Sequence, residues 1–65
     1  MIIDFIPSTN DPTLTQVNLG QIFHGYIIQV APRKYRYFQV INDKAFQRHE
    51  ADNLDVIKTL VTKVP

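Results

Sequence analysis

Two runs of strand-forming residues, 21–30 and 34–41, are joined by a single short turn in this chain. Both are rich in β-branched and aromatic side chains, which suit a pleated and half-buried surface. The connection Ala31-Pro32-Arg33-Lys34 predicts a four-residue turn, with Pro32 fixing φ at about −65° as a type I turn requires. A long central hairpin over about 21–42 follows, and it commits the chain to an antiparallel sheet.

The flanking segments extend that sheet. Residues 2–6 read as a short strand closed by Pro7. Pro7-Ser8-Thr9-Asn10-Asp11-Pro12 concentrates turn formers and predicts a loop. Residues 13–17 alternate only weakly and can pair as a strand or stay irregular, and Asn18-Leu19-Gly20 reads as a turn. Asn42-Asp43-Lys44 supplies another turn, leading into a short strand over 45–49.

From residue 52 the apolar period lengthens. Leu54, Ile57, Val61 and Val64 recur at helical spacing, with Val56 and Leu60 widening the stripe. Asp52 or Asn53 can cap this helix, and Asp55 and Lys63 complement its dipole. The expected architecture is therefore α+β: a small antiparallel sheet of three or four strands, with one C-terminal helix over about 52–63 packed on one face. An SH3-like partial β-barrel plus helix is the other arrangement compatible with the pattern.

The 65 residues form one domain, at a size where a single core is marginal. Small domains are commonly reinforced by disulfides, a metal or a partner subunit. There is no cysteine, which removes disulfides and thiolate sites and leaves oligomerisation as the remaining support. No run approaches the roughly 18 apolar residues of a membrane span. The start Met1-Ile2-Ile3-Asp4 lacks the basic opening of a signal peptide, so a cytoplasmic location is expected.

Alternation along the hairpin puts apolar side chains on both sides of the sheet. A four-residue connection would pair Val30 with Tyr35, Ile28 with Tyr37 and Tyr26 with Gln39. One face would then carry Phe23, Ile27, Phe38 and Val40, with Gly25 leaving room for the helix. The other would gather Tyr26, Ile28, Val30, Tyr35 and Tyr37. A bulge would move the register by one residue and re-sort both faces. One short helix covers one face only, so Tyr26, Ile28, Val30, Tyr35 and Tyr37 are the candidate interface for a second copy or a larger protein.

The basic residues suggest a different surface. The first 32 residues contain no Lys or Arg, whereas five of the seven fall between Arg33 and Arg48. Arg33, Lys34 and Arg36 interleave with Tyr35, Tyr37 and Phe38, and Lys44 and Arg48 extend the basic half. Cations meeting phosphates beside aromatic faces is the pattern of nucleic-acid contact. However, strict alternation points Arg36 away from Tyr35 and Tyr37, so cations and tyrosines need not share a surface.

Catalytic and metal-binding chemistry finds little material. Gly20 and Gly25 are the only glycines and Ser8 the only serine. His49-Glu50-Ala51-Asp52 packs three possible ligands into four residues but matches no metal-ligand spacing. No catalytic residue, metal, cofactor or small-molecule substrate is indicated. The expectation is a non-enzymatic interaction module that self-associates or binds a larger protein, in an accessory, regulatory or inhibitory role. The alternative is a nucleic-acid-binding protein using the basic-aromatic hairpin 32–38 with Arg33, Lys34, Arg36, Lys44 and Arg48.

Overall fold

The computed structural model describes residues 2–63; Val64, expected in the helix stripe, and Pro65 lie outside them. Five strands run in chain order, β1 (Ile3–Pro7), β2 (Leu14–Leu19), β3 (Ile22–Ala31), β4 (Lys34–Ile41) and β5 (Lys44–Ala51), followed by α1 (Leu54–Lys63). Each strand pairs antiparallel with the next, giving the sheet order β1-β2-β3-β4-β5. The class is α+β, but the sheet has five strands where three or four were expected. The shortfall arose at β2, whose Gln16 and Asn18 dilute its alternation although both neighbours hold it in register. With β1 and β5 as the two edges, the sheet is open, unlike an SH3-like partial barrel.

Turn chemistry sets the meander. Gly20 carries φ +62° in the two-residue link between Leu19 and Ile22, where only the first central residue is left-handed, as in a type II′ turn. Asn42 and Asp43 both have positive φ, 52° and 64°, and so form a type I′ link between Ile41 and Lys44. The central hairpin turns more tightly than the sequence predicted. Ala31 pairs with Lys34, which leaves Pro32 and Arg33 alone in the turn, and the register shifts between Gln29 and Ala31. Pro32 cannot adopt the left-handed φ of a primed turn, so Val30 bulges out to restore the strand twist.

The β1–β2 loop is pinned by its own side chains. Ser8 Oγ accepts from the backbone N–H groups of Asn10 and Asp11. Asp11 Oδ1 accepts from Thr13 N at 3.0 Å and Thr13 Oγ1 at 2.6 Å. Those bonds hold the Asp11 carboxyl below the usual aspartate range.

Asn53 caps the helix, its Oδ1 accepting from Val56 N at 2.9 Å. Ile57 and Val61 of α1 pack with Val17, Ile27 and Tyr37 as the fully buried core, and Ile3, Phe5, Tyr35, Ala51 and Leu54 close around it. The Lys58 ammonium lies 5.3 Å from the centre of the Phe5 ring, so the helix reaches across the sheet as far as β1. All five buried side chains belong to this one side of the sheet. The domain is two layers thick, and its second sheet face is left without a covering element among the described residues.

Candidate interaction surface

The observed register decides which side chains the open face carries. Ile27 pairs with Tyr37, Ile28 with Arg36 and Tyr26 with Phe38, one residue away from the pairing a four-residue turn would give. Strand alternation then puts Gly25, Ile27, Tyr35, Tyr37 and Gln39 under the helix, and Tyr26, Ile28, Arg36, Phe38 and Val40 on the opposite side. Two further bulges matter. One lies in β3 at His24, between the pairs Val17–Gly25 and Asn18–Phe23; the other lies in β5 at Arg48, between Tyr37–His49 and Phe38–Gln47.

Three rows cross the open face. Leu14, Ile28, Arg36 and Glu50 form the first, and Ile6, Gln16, Tyr26, Phe38 and Gln47 the second. Asp4, Asn18 and Phe23 continue into Val40 and Ala45 as the third. The centre is apolar, built on Leu14, Ile28, Tyr26, Phe38, Phe23 and Val40. Tyr26 and Phe38 stack with ring centroids 5.5 Å apart at 25°, fixing the middle of the patch as one rigid aromatic plate. Phe23 and Ile6 are each nearly half exposed, at 46% and 45%.

Polar groups frame this centre, and four of them form two pairs. Arg36 Nε donates to Glu50 Oε1 at 2.9 Å, and Gln16 Nε2 donates to Asn18 Oδ1 at 3.0 Å. The ion pair sits at 35% and 43% side-chain exposure, where it contributes little to stability but neutralises its corner of the surface. Asp4 is the remaining charge in the three rows. An apolar centre inside a polar rim is the anatomy of a protein interface.

The five residues expected at an interface are divided by this geometry. Tyr26 and Ile28 stand at the centre of the open face. Val30 is at the bulge beside the turn, 45% exposed. Tyr35 is half-buried under the start of the helix, and Tyr37 is core at 2% exposure. Burial pushes the Tyr37 phenol above the ordinary tyrosine value, and the Arg48 charge offsets part of that rise. Conversely, Phe23, Phe38 and Val40, which the four-residue turn would have put beneath the helix, lie on the open side. The Val30 bulge is the reason for Phe38 and Val40 and the His24 bulge for Phe23, and Leu14 joins them once β2 is a full strand.

The basic residues are likewise dispersed. Arg33 and Lys34 are exposed at the β3–β4 turn, whereas Lys44 is at the opposite end of β4–β5. Arg36 is committed to Glu50 on the open face, and Arg48 donates to Gln39 on the helix side at 3.0 Å. The fold does not bring the five into one stripe. Among the described residues no three His, Cys, Asp or Glu side chains gather as a metal site requires, and no helix is long and apolar enough to cross a membrane.

No family model, curated protein or solved structure matches the chain.

Proposed function

We propose that this protein is a non-enzymatic interaction module that self-associates through the open face of its sheet. The observation that carries the reading is the apolar centre built on Leu14, Tyr26, Ile28, Phe38 and Val40, on the side of the sheet opposite the helix. A second copy is the occupant favoured by size. Five strands about 4.8 Å apart, crossed by three rows of side chains, offer roughly 450 Å² per copy. Two such faces bury about 900 Å² together, just under the ~1,000 Å² threshold of a specific interface and in the range of weak, transient association. Within the three rows Arg36 and Glu50 neutralise each other, which leaves Asp4, near the β1 edge, as the one unbalanced charge.

The same numbers set the affinity. Burial of that area at about 25 cal/mol per Å², with somewhat over half of it apolar, yields roughly 10–15 kcal/mol gross. Association costs of about 4–15 kcal/mol leave a dissociation constant in the micromolar range or weaker. Edge-to-edge pairing has less support. Edge strand β1 is short and ends at Pro7, while β5 carries a bulge and the charges of Lys44, Arg48 and Glu50.

Such a module acts by occupying or completing another surface, in an accessory, regulatory or inhibitory role. A nucleic-acid reading draws less support, because the exposed cations lie at opposite ends of the sheet and Arg36 is paired. The test is a Phe38→Lys variant, which sets a charge at the centre of the patch and leaves the buried core untouched. Its mass by light scattering should fall to that of one chain at concentrations where the wild type is dimeric. A variant that associates as well as the wild type would sink the reading.

A further inference from the structure

The helix covers only part of its own side of the sheet, and the uncovered corner holds a built cluster. Two of the three bulges converge there. The β3 bulge turns His24, and the β5 bulge turns Arg48, onto Gln39 of the strand between them. Arg48 Nε donates to Gln39 Oε1 at 3.0 Å, and Gln39 Nε2 meets His24 Nε2 at 3.4 Å. Arginine can only donate, so the Gln39 oxygen must face Arg48 and its amide N–H groups must face His24. His24 Nε2 therefore accepts, and its proton resides on Nδ1.

This directional chain leaves two donors unspent: the terminal guanidinium N–H groups of Arg48 and the Nδ1–H of His24, neither of which has a partner among the described residues. The Arg48 guanidinium also rests 5.7 Å from the centre of the Phe46 ring, which restrains it further. Ile22, Ile41 and Phe46 stand around the cluster at 72%, 41% and 44% exposure. Two residues before Gln39 on β4, Tyr37 is buried to 2% and stacks on His49. Bulges that re-aim polar side chains are a recurrent feature of binding sites.

We propose that this corner binds an organic carboxylate carrying an apolar tail. The carboxylate takes the guanidinium edge of Arg48 and the Nδ1–H of His24, and the tail lies along Ile22, Ile41 and Phe46. A monoanion fits better than a phosphate dianion. Arg48 is the one cation held in the cluster, and the neighbouring Lys44 is flanked in sequence by Asp43. This site is on the opposite face from the self-association surface, so it stands independently of that reading.

Side-chain and methyl NMR signals of the full chain test it, titrated separately with sodium octanoate, sodium acetate and sodium phosphate at constant ionic strength. Octanoate should shift the Arg48 Nε–H, Gln39 amide and Ile22 and Ile41 methyl signals saturably, with a dissociation constant on the order of 1 mM. Acetate, without the tail, should bind roughly tenfold more weakly. Arg48→Met should abolish the octanoate response, and Phe46→Ser should weaken it; both positions are exposed, and circular dichroism checks that each variant is folded. Equal responses to acetate and octanoate would overturn the proposal. So would phosphate binding more tightly than octanoate, octanoate shifts centred on Tyr26 and Phe38, or an unchanged response in Arg48→Met.

Discussion

Replacing Gly25 by alanine tests whether the β3 bulge and the β3–β4 contact are as tight as described. Gly25 is buried in the middle of the sheet, and a Cβ at this position would run into the carbonyl oxygen of Phe38 and lie 3.1 Å from Gln39 Cα. Both obstacles are backbone, so no side-chain rotation relieves them. The strands must separate locally, which weakens two or more ladder hydrogen bonds at about 1 kcal/mol each and adds strain of ~1–3 kcal/mol for overpacking. The expected loss is roughly 3–5 kcal/mol, against the ~3–5 kcal/mol that a core of this size supplies. Urea unfolding followed by far-ultraviolet circular dichroism should find Gly25→Ala largely unfolded without denaturant. Gly20→Ala is the internal control. Its Cβ meets nothing within 4 Å, and its cost is the left-handed φ of +62°, about 1–2 kcal/mol. If Gly25→Ala proved as stable as the wild type, or lost less than Gly20→Ala, the close approach of β3 and β4 would be refuted.

Ile57→Ala leaves a cavity at the only fully buried helix–sheet contact made by an isoleucine of α1 and should cost about 2–5 kcal/mol in the same urea assay. Asn53→Ala removes the helix cap and should cost about 1 kcal/mol, whereas Asn53→Ser should retain most of the stability. Glu50→Gln breaks the ion pair with Arg36 and should change stability by no more than ~0.5 kcal/mol, since both partners are partly solvated. The raised Tyr37 phenol gives stability that is full below the ordinary tyrosine pKa and lost as pH rises through the folded value. Alkaline titration of tyrosine absorbance should show a phenol ionising above the ordinary tyrosine value, together with unfolding; loss of that late phase in Tyr37→Phe confirms the assignment.

The elements were largely legible because each obeyed a local rule. β-branched and aromatic runs marked β3 and β4, Asn42-Asp43-Lys44 marked a turn, and Asp52 or Asn53 with the 3.6-residue spacing marked the helix. Residues 14–19 were harder to read, because a strand with Gln16 and Asn18 on its open side gains its stability from β1 and β3 rather than from its own composition. The faces were not legible. They depend on bulges at His24, Val30 and Arg48, and a single inserted residue reverses every side chain beyond it. Tyr37 therefore moved from expected interface to core, and Phe38 from expected core to the centre of the open face. A sequence signal for the Val30 bulge did exist: Pro32 in a short hairpin turn is incompatible with a primed turn, and an unprimed turn needs a compensating irregularity.

Self-association through the second face of the sheet is tested most directly by the mass of the protein in solution. Sedimentation equilibrium across about 10 µM to 1 mM spans the weak affinity worked out from the buried area. The mass should rise toward twice the 7.5 kDa of one chain, with Phe38→Lys staying at one. A wild-type mass fixed at 7.5 kDa over the whole range would contradict it.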